Sequence, residues 1–494
     1  MSLLKRFGSI LLAVFLIFSC TACGGEQNGA NVYFELADKP DTLDPQTAAS
    51  DSELLIVKNL FEGLLRENEQ GELVLGVAED YVQNGLVYTF KIRKDAQWFT
   101  GEKLTAHDFV FAFRRAVSPD TAAPFAVRLS AVENAEEILN GKLAPEKLGV
   151  SAPDKHTLII QLGREDDEFL KSLTTSVCMP CQEKFFQKSG GKYGLSKDDV
   201  LANGSYYLSK WDRENFGIRL YKNAVYSGKI PARNGALFLS CSDKETPLER
   251  LQKGTVDAAF LSGEEAAAAK SAEIKTVLCE DTCWVLTIGT TFRGDVGNAL
   301  AMLINPDLYG QTLPENWRIA DSLLPDLFKD SGVQKVGRPT GYDPEGAKPL
   351  FVRGLQKMKD QHFPETTLYY YSEGAKETVT SIVGHWQSQL SAFINIEEVS
   401  SVEKLLPQLE SQTLPLCFFP VKANSTFLRE YLMKYGADPK NGGEVVAQQN
   451  ILSGNRIIPI AFTSTTLGHT ETIETLPLVE TSPYLDFAMV KKNK

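Results

Sequence analysis

Residues 88–119 read Tyr88-Thr-Phe-Lys-Ile-Arg-Lys-Asp-Ala-Gln-Trp98-Phe-Thr-Gly-Glu-Lys-Leu-Thr105-Ala-His-Asp-Phe-Val-Phe-Ala-Phe-Arg114-Arg-Ala-Val-Ser-Pro119. Tyr88, Phe90 and Ile92 alternate with Thr89, Lys91 and Arg93, which predicts a half-buried strand. Trp98 and Gly101 belong to the loop after it. Thr105-Ala-His-Asp108 has the spacing of a capping box, in which the hydroxyl and the carboxylate each satisfy a backbone N–H that the first helical turn leaves free. The helix it opens runs from Asp108 to Val117, turns Phe109, Val110 and Phe113 inward, and stops at Pro119.

The same reading extends outward in both directions. Asn31–Leu36 alternates as a strand, and Lys39-Pro-Asp-Thr-Leu-Asp-Pro45 is turn chemistry. From Ser52 the apolar positions Leu54, Leu55, Val57, Leu60, Phe61, Leu64 and Leu65 keep helical spacing, up to a turn at Gly71. Downstream, short strands are expected at 158–162, 203–208, 218–221, 236–240, 414–421, 459–462 and 485–490. Pro247–Leu251, Gly254 and Thr255–Phe260 make a helix-turn-strand unit. Thr367–Tyr371, Lys376–Leu390 and Ile394–Val399 make a β-α-β unit, so the chain is α/β.

The N-terminus carries Lys5 and Arg6, then an apolar run from Ile10 to Phe18, too short for the ~20 residues that span a bilayer. It is expected to be a cleaved signal, residues 1–22. Val14 to Gly25 resembles a bacterial lipobox, with Cys23 as the lipidated residue, cleavage behind Ala22, and a polar tether over 23–30. Two acyl chains there would hold the protein on the outer face of the cytoplasmic membrane, where one chain binds only marginally. The rest of the composition is that of a globular protein, 43% hydrophobic and 23% charged. A net charge of −12 excludes a partner that needs basic patches, nucleic acid or anionic lipid. Six of the eight cysteines remain: Cys178, Cys181, Cys241, Cys279, Cys283 and Cys417. Structural bridges or buried thiols are expected of them, and Cys178-Met-Pro-Cys181 lacks the preceding strand of a redox motif. The five histidines are scattered and no HExxH occurs, so no metal site and no cofactor are expected.

Several motifs then fall in one order. Thr42-Leu-Asp-Pro45, Leu60-Phe-Glu-Gly-Leu64, Tyr88 to Trp98, Gly101, Leu104-Thr-Ala-His-Asp-Phe109 and Arg114-Arg-Ala-Val-Ser-Pro119 resemble, at matching spacing, the extracellular solute-binding proteins of oligopeptide ABC transporters, of the family 5 type. Asn203-Gly-Ser-Tyr206, Lys253-Gly-Thr-Val-Asp257 and Tyr342-Asp-Pro-Glu-Gly-Ala-Lys348 continue the likeness more faintly. The resemblance implies a two-lobed periplasmic-binding-protein-like fold with a hinge and an extra subdomain inserted in the first lobe. The first lobe would comprise 31–65, 185–285 and 458–494, the inserted subdomain 66–184, and the second lobe 286–457. It further implies a monomer that closes over a ligand and presents it to permease subunits.

Relatives of this type hold a peptide backbone as an added strand and its charged ends with side chains. The strand-pairing segment matches Ala49-Ser50-Asp51. The side-chain set departs from the family's. An expected tyrosine is Phe125, expected asparagines fall at Leu261 and Ser262, and a tyrosine and an asparagine align near Trp284 and Gly289. The aspartate that receives a peptide's α-amino group aligns with Pro420 or, with a gap, Asn424. An ammonium buried there without a carboxylate costs several kcal/mol. Oligosaccharides, opines, metal chelates and haem therefore stay open beside peptides, as does a sensing role. Trp98, Trp211, Trp317 and Trp386 are expected to pack, and Glu165-Asp-Asp-Glu168 and Glu264-Glu265 to be solvated faces. No GxSxG elbow, phosphate loop or SxxK set with its partner motifs occurs, so the sequence points away from an enzyme.

Overall fold

The 88–119 stretch folds as its pattern requires. The computed structural model describes residues 30–493 apart from 215, 290, 291, 293, 360, 361, 403–406, 408–415, 441 and 477–484, so Cys23 and the expected leader lie outside the described residues. Val87–Ile92 is a strand that buries Tyr88, Phe90 and Ile92. Ala106–Val117 is a helix whose Asp108 carboxylate accepts from Thr105 N at 2.7 Å. Phe109 and Phe113 of that helix and Trp98 of the loop are fully buried. The helix lies by a four-stranded antiparallel sheet in the order Ala78–Asn84, Val87–Ile92, Thr157–Gln161, Val150–Asp154. This unit is the small subdomain. Its Arg115 pairs with Asp44 and donates to Gln46 Oε1 at 2.7 Å, which ties two of the sequence motifs together.

The main sheet has 11 strands among the described residues. Ten run in the order Ile394–Val399, Thr366–Tyr371, Cys417–Lys422, Lys275–Thr287, Ile457–His469, Ala258–Leu261, Val32–Glu35, Ala236–Ser240, Gly217–Lys222, Tyr206–Asp212, and Arg318–Ile319 pairs beside them with Ile457–His469. The two central strands are 13 residues each and antiparallel. At one end they join the N-terminal strand's lobe, through Ala258–Leu261. At the other they join the second lobe, through Cys417–Lys422. They are therefore the hinge, and the pairing slips between Glu280 and Thr282 and between Trp284 and Val285, where bulges bend the ribbon.

Alternation along these strands builds the second lobe's core on both faces. Trp284, Leu286 and Phe418 point to one side, with Trp386 and Ile382 of the Lys376–Leu390 helix. Cys283, Val285, Cys417 and Phe419 point to the other, with Tyr431 and Tyr435. The β-α-β unit is observed at Thr366–Tyr371, Lys376–Leu390 and Ile394–Val399, with the two strands parallel.

Two expectations fail. The helix that begins at Asp51 ends at Leu60, although apolar spacing runs on to Leu65. The segment 485–490, read as a strand, is a buried turn. Leu65 instead opens the strand Leu65–Glu67, paired with Leu73–Leu75, and asparagine side chains supply backbone hydrogen bonds at Glu62 and within 485–490. Asn203 accepts from Glu62 N at 3.1 Å and donates to Glu62 O at 2.8 Å. Asn59 donates to Leu485 O at 2.9 Å and accepts from Phe487 N at 2.8 Å, while Asn234 donates to Phe487 O and Val490 O at 3.2 and 2.8 Å.

None of the six described cysteines is joined in a disulfide. Among the described residues no helix is long and apolar enough to cross a membrane, and no group of three or more His, Cys, Asp or Glu side chains is placed to hold a metal.

Candidate ligand-binding cleft

The lobes meet through side chains that come from all three units. Asp51, in the first turn of the Asp51–Leu60 helix, receives Lys422 Nζ of the second lobe at 3.1 Å. Arg128 of the subdomain meets Glu430 side-on, Nε to Oε1 at 2.6 Å and Nη2 to Oε2 at 2.8 Å. Its guanidinium lies 4.3 Å from the Phe125 ring centroid and 4.5 Å from that of Phe427, held between one ring of each wall. Lys171 donates to Thr426 O at 2.9 Å, and Leu428 N donates to Glu168 Oε1 at 3.3 Å. Lys440 pairs with Glu136 at the rim.

Beneath these contacts lies the hinge. Asp281, at the Glu280/Thr282 bulge, has no solvent exposure. Its carboxylate accepts from Thr465 Oγ1 at 2.5 Å and Thr282 Oγ1 at 2.8 Å, and Lys422 Nζ lies 3.9 Å away. Burial raises the Asp281 pKa against those bonds. Burial acts to lower that of Lys422, but Asp51 and Asp281 outweigh it and the net shift is upward. Burial lowers the pKa values of Lys171 and Lys434 and pushes Glu168 up to about 7.

Between the walls two neighbouring spaces stay open, about 60 Å³ by Arg128, Lys171 and Phe427 and about 200 Å³ by Leu73, Lys171, Phe328 and Thr426. A bound peptide needs more, since small-molecule sites run to roughly 300–1,000 Å³. Admission therefore requires the hinge to part the lobes and the ion pairs to separate. A wider groove of about 700 Å³ follows the outer side of the Ala106–Val117 helix, past Asp44, Arg115 and Tyr193. No described residue of the second lobe lines it, so closure cannot act on it.

The residues expected from sequence part company here. Asp51, Phe125 and Asn424 are brought to the cleft, Asn424 accepting from Lys434 Nζ at 3.3 Å. Ala49 and Ser50 precede the helix, and their amides donate to Glu53 Oε2 at 2.8 and 3.1 Å, so these two donors are already engaged. Leu261 sits in a satellite core with Leu251 and Val256. Ser262 caps the Gly263–Ala269 helix. Trp284 packs in the second lobe's core, 4.2 Å from Trp317 between centroids, with Nε1 donating to Thr463 Oγ1 at 3.1 Å. Sequence reasoning missed Arg128, Lys171, Glu168, Lys422 and Glu430. Glu168 was expected on a solvated face, and it is instead part of the cleft wall. Its signal is Phe169-Leu170 directly after the acidic run, an apolar anchor that pulls the last acid inward.

Comparison with known proteins agrees with this architecture. Residues 72–440 match the model of the bacterial extracellular solute-binding proteins, family 5 Middle. The chain belongs to this family. Over 178 residues it is 37% identical to the periplasmic murein peptide-binding protein MppA of Escherichia coli, covering 35% of this chain and 33% of that protein. Over 374 residues it is 26% identical to a dipeptide-binding protein of Lactococcus lactis, covering 71% of this chain and 68% of that protein. The match thus spans about a third of the first relative's length. Among solved structures, Listeria monocytogenes OppA bound to peptide superposes with a TM-score of 0.73 at 23% identity, over 94% of this chain and 100% of that one. At that identity the likeness speaks for the two-lobed fold of this solute-binding protein.

Proposed function

We propose that this chain is the solute-capturing component of an ABC importer, closing two lobes over an oligopeptide outside the cell and delivering it to permease subunits. The observation that carries this reading is the hinge of two 13-residue strands, with ion pairs from both lobes directly above it. In this reading the first lobe comprises 31–65, 185–285 and 458–494, with 66–184 inserted in it, and 286–457 forms the second. The protein works as a monomer, held to the outer face of the membrane by a lipidated Cys23. It binds and does not catalyse, as members of its family are binding proteins.

A second reading keeps the fold and changes the guest to a non-peptide solute. It is favoured by the pairing in the cleft, where Asp51 already holds Lys422 and Glu430 already holds Arg128, so a peptide's ammonium finds no spare carboxylate among them. Native mass spectrometry of protein purified without refolding tests both, because a retained guest announces its class by mass. A mixed oligopeptide pool should raise the melting temperature through binding linkage. A shift with sugars or chelates and none with peptides would select the second reading. Cys23→Ser should release the protein from the cell surface, and continued membrane retention would refute the anchor.

A further inference from the structure

Lys422 is the last residue of the strand Cys417–Lys422 and lies opposite Thr282 of the hinge ribbon. That register sets its side chain between two acids of different origin. Its Nζ stands 3.1 Å from Asp51 Oδ2, on the first lobe, and 3.9 Å from Asp281 Oδ2, in the hinge. Burial acts to lower the lysine's pKa, but the two acids raise it on balance, so it is a cation at neutral pH. Asp281 depends on it in turn: the carboxylate has no solvent exposure, and among the described residues no other cation comes within 4.0 Å of it. Lys434 is nearby but engaged elsewhere, donating to Lys422 O at 2.7 Å and to Asn424 Oδ1 at 3.3 Å.

The trio lies where a guest would end. Asp51, Leu54 and Lys58 fall at i, i+3 and i+7, on one face of the Asp51–Leu60 helix. Leu54 and Lys58 line the 60 Å³ space between the lobes, as do Ser425 and Thr426 a short way past Lys422. Asp51 and Lys422 therefore stand next to that space, on its hinge side, and each side chain keeps 34% of its surface open. Asp281 is closed off behind them. Two carboxylates converging on one point, the inner one held by the hydroxyls of Thr465 and Thr282, make an ammonium site. The chain has filled it with an ammonium of its own.

We propose that Lys422 is a specificity-determining residue: its ammonium occupies a two-carboxylate site that would otherwise receive a guest's ammonium, so the captured solute carries no positive charge at its hinge-side end. The inference rests on the solute-binding reading above and narrows its substrate class. A tethered group competes at an effective concentration on the order of millimolar, and a guest ammonium brought beside it meets like charge. Peptides blocked at the N-terminus and neutral sugars share the required chemistry, and the two sources separate by experiment.

The full chain and its Lys422→Ala variant are compared at pH 8. The substitution deletes Cγ to Nζ, the atoms of n-propylammonium. That ion should raise the melting temperature of Lys422→Ala in a saturable way and leave the wild type unmoved, and n-propanol should move neither. Calorimetry then sets a tripeptide pool against the same pool acetylated at its N-termini, with maltotriose as the neutral sugar. The wild type should bind acetylated peptides on the order of tenfold more tightly than free amines, as a like charge set against one end requires. Lys422→Ala should bring that ratio to one or reverse it. Lys422→Gln, which keeps the length and loses the charge, should narrow it too and decides the matter if the alanine variant does not fold. Equal or tighter binding of the free amines by the wild type overturns the proposal and spares the peptide reading. No rise with n-propylammonium in folded Lys422→Ala, or an equal rise with n-propanol, also overturns it. Rescue by n-propylammonium with maltotriose bound and neither peptide pool bound supports the filled site and overturns the peptide reading.

Discussion

Arg128 and Glu430 meet side-on across the two walls of the cleft, at 2.6 and 2.8 Å, with the arginine side chain 7% and the glutamate 20% exposed. A bidentate pair this sheltered is directional and strong, and it joins the subdomain to the second lobe. Arg128→Ala leaves Glu430 without its cation in that setting, which costs about 3 kcal/mol by the usual penalty for stranding a sheltered charge. The cost falls on the closed arrangement. Small-angle scattering should show a larger radius of gyration for the variant, and Arg128→Glu with Glu430→Arg should recover part of the closure. An unchanged radius in Arg128→Ala would show that the pair does not hold the lobes.

Glu168 sets a pH dependence. Its carboxyl, ordinarily near 4.5, is pushed up to about 7 by burial, against the pull of Lys171 and the bond from Leu428 N, and with Asp166 and Glu430 adding to the rise. Between those two pH values the folded chain keeps a proton that the unfolded chain releases, so stability present below pH 4.5 is lost as pH rises through 7. The full effect is on the order of 3 kcal/mol. Denaturant midpoints measured from pH 4.5 to 8 should fall with this slope in the wild type and flatten in Glu168→Gln. A variant with the wild-type slope would assign the effect elsewhere.

Much of the architecture was legible because the elements that define it bury one face of a simple period. The 88–119 strand and helix and the 366–399 β-α-β unit are examples, each punctuated by its own caps and turns. Leu64–Leu65 and 485–490 were misread because a period reports burial and not hydrogen bonding. Those segments are apolar and buried, yet Leu64 O accepts from Gly76 N and Ala78 N, Leu65 pairs with Leu75 in a short strand, and 485–490 is held by Asn59 and Asn234 from distant parts of the chain. The cleft was the least legible part for a related reason. Lys422 lies 371 residues from Asp51 and Arg128 lies 302 from Glu430, so no spacing along the chain announces either pair. The resemblance named Phe125, whose ring lies against the Arg128 guanidinium. It gave no sign of the charged pair beside that ring, Arg128 with Glu430.

The thiols should be silent in the folded state. Burial pushes Cys178, Cys181 and Cys417 up to about 12, far from the thiolate that reacts, and Cys279 and Cys283 are also buried. Cys241 is the partly accessible one among those described. An aromatic disulfide reagent should therefore titrate about one of the six described thiols in native protein and all six in denaturant. Reductant should leave the melting temperature unchanged. A reductant-dependent fall would mean that a disulfide forms under the conditions of export.

Lys422 serves two carboxylates, Asp51 across the cleft at 3.1 Å and Asp281 within the hinge at 3.9 Å. In Lys422→Met both acids lose their common cation, and Asp281, fully buried, has only the bonds from Thr465 and Thr282 to support its charge. The variant should lose about 3 kcal/mol at pH 8, as expected when a sheltered pair is broken from one side. The loss should shrink toward pH 5. Burial already holds the Asp281 pKa above its ordinary value, removal of the lysine raises it further, and a carboxyl whose folded pKa is raised recovers stability as pH falls through it. Asp281→Asn combined with Lys422→Met takes away the stranded charge and should restore most of the deficit at pH 8. Equal losses at pH 5 and pH 8, or a double variant no better than the single one, would place the lysine's contribution in packing of its methylene stem and not in its charge.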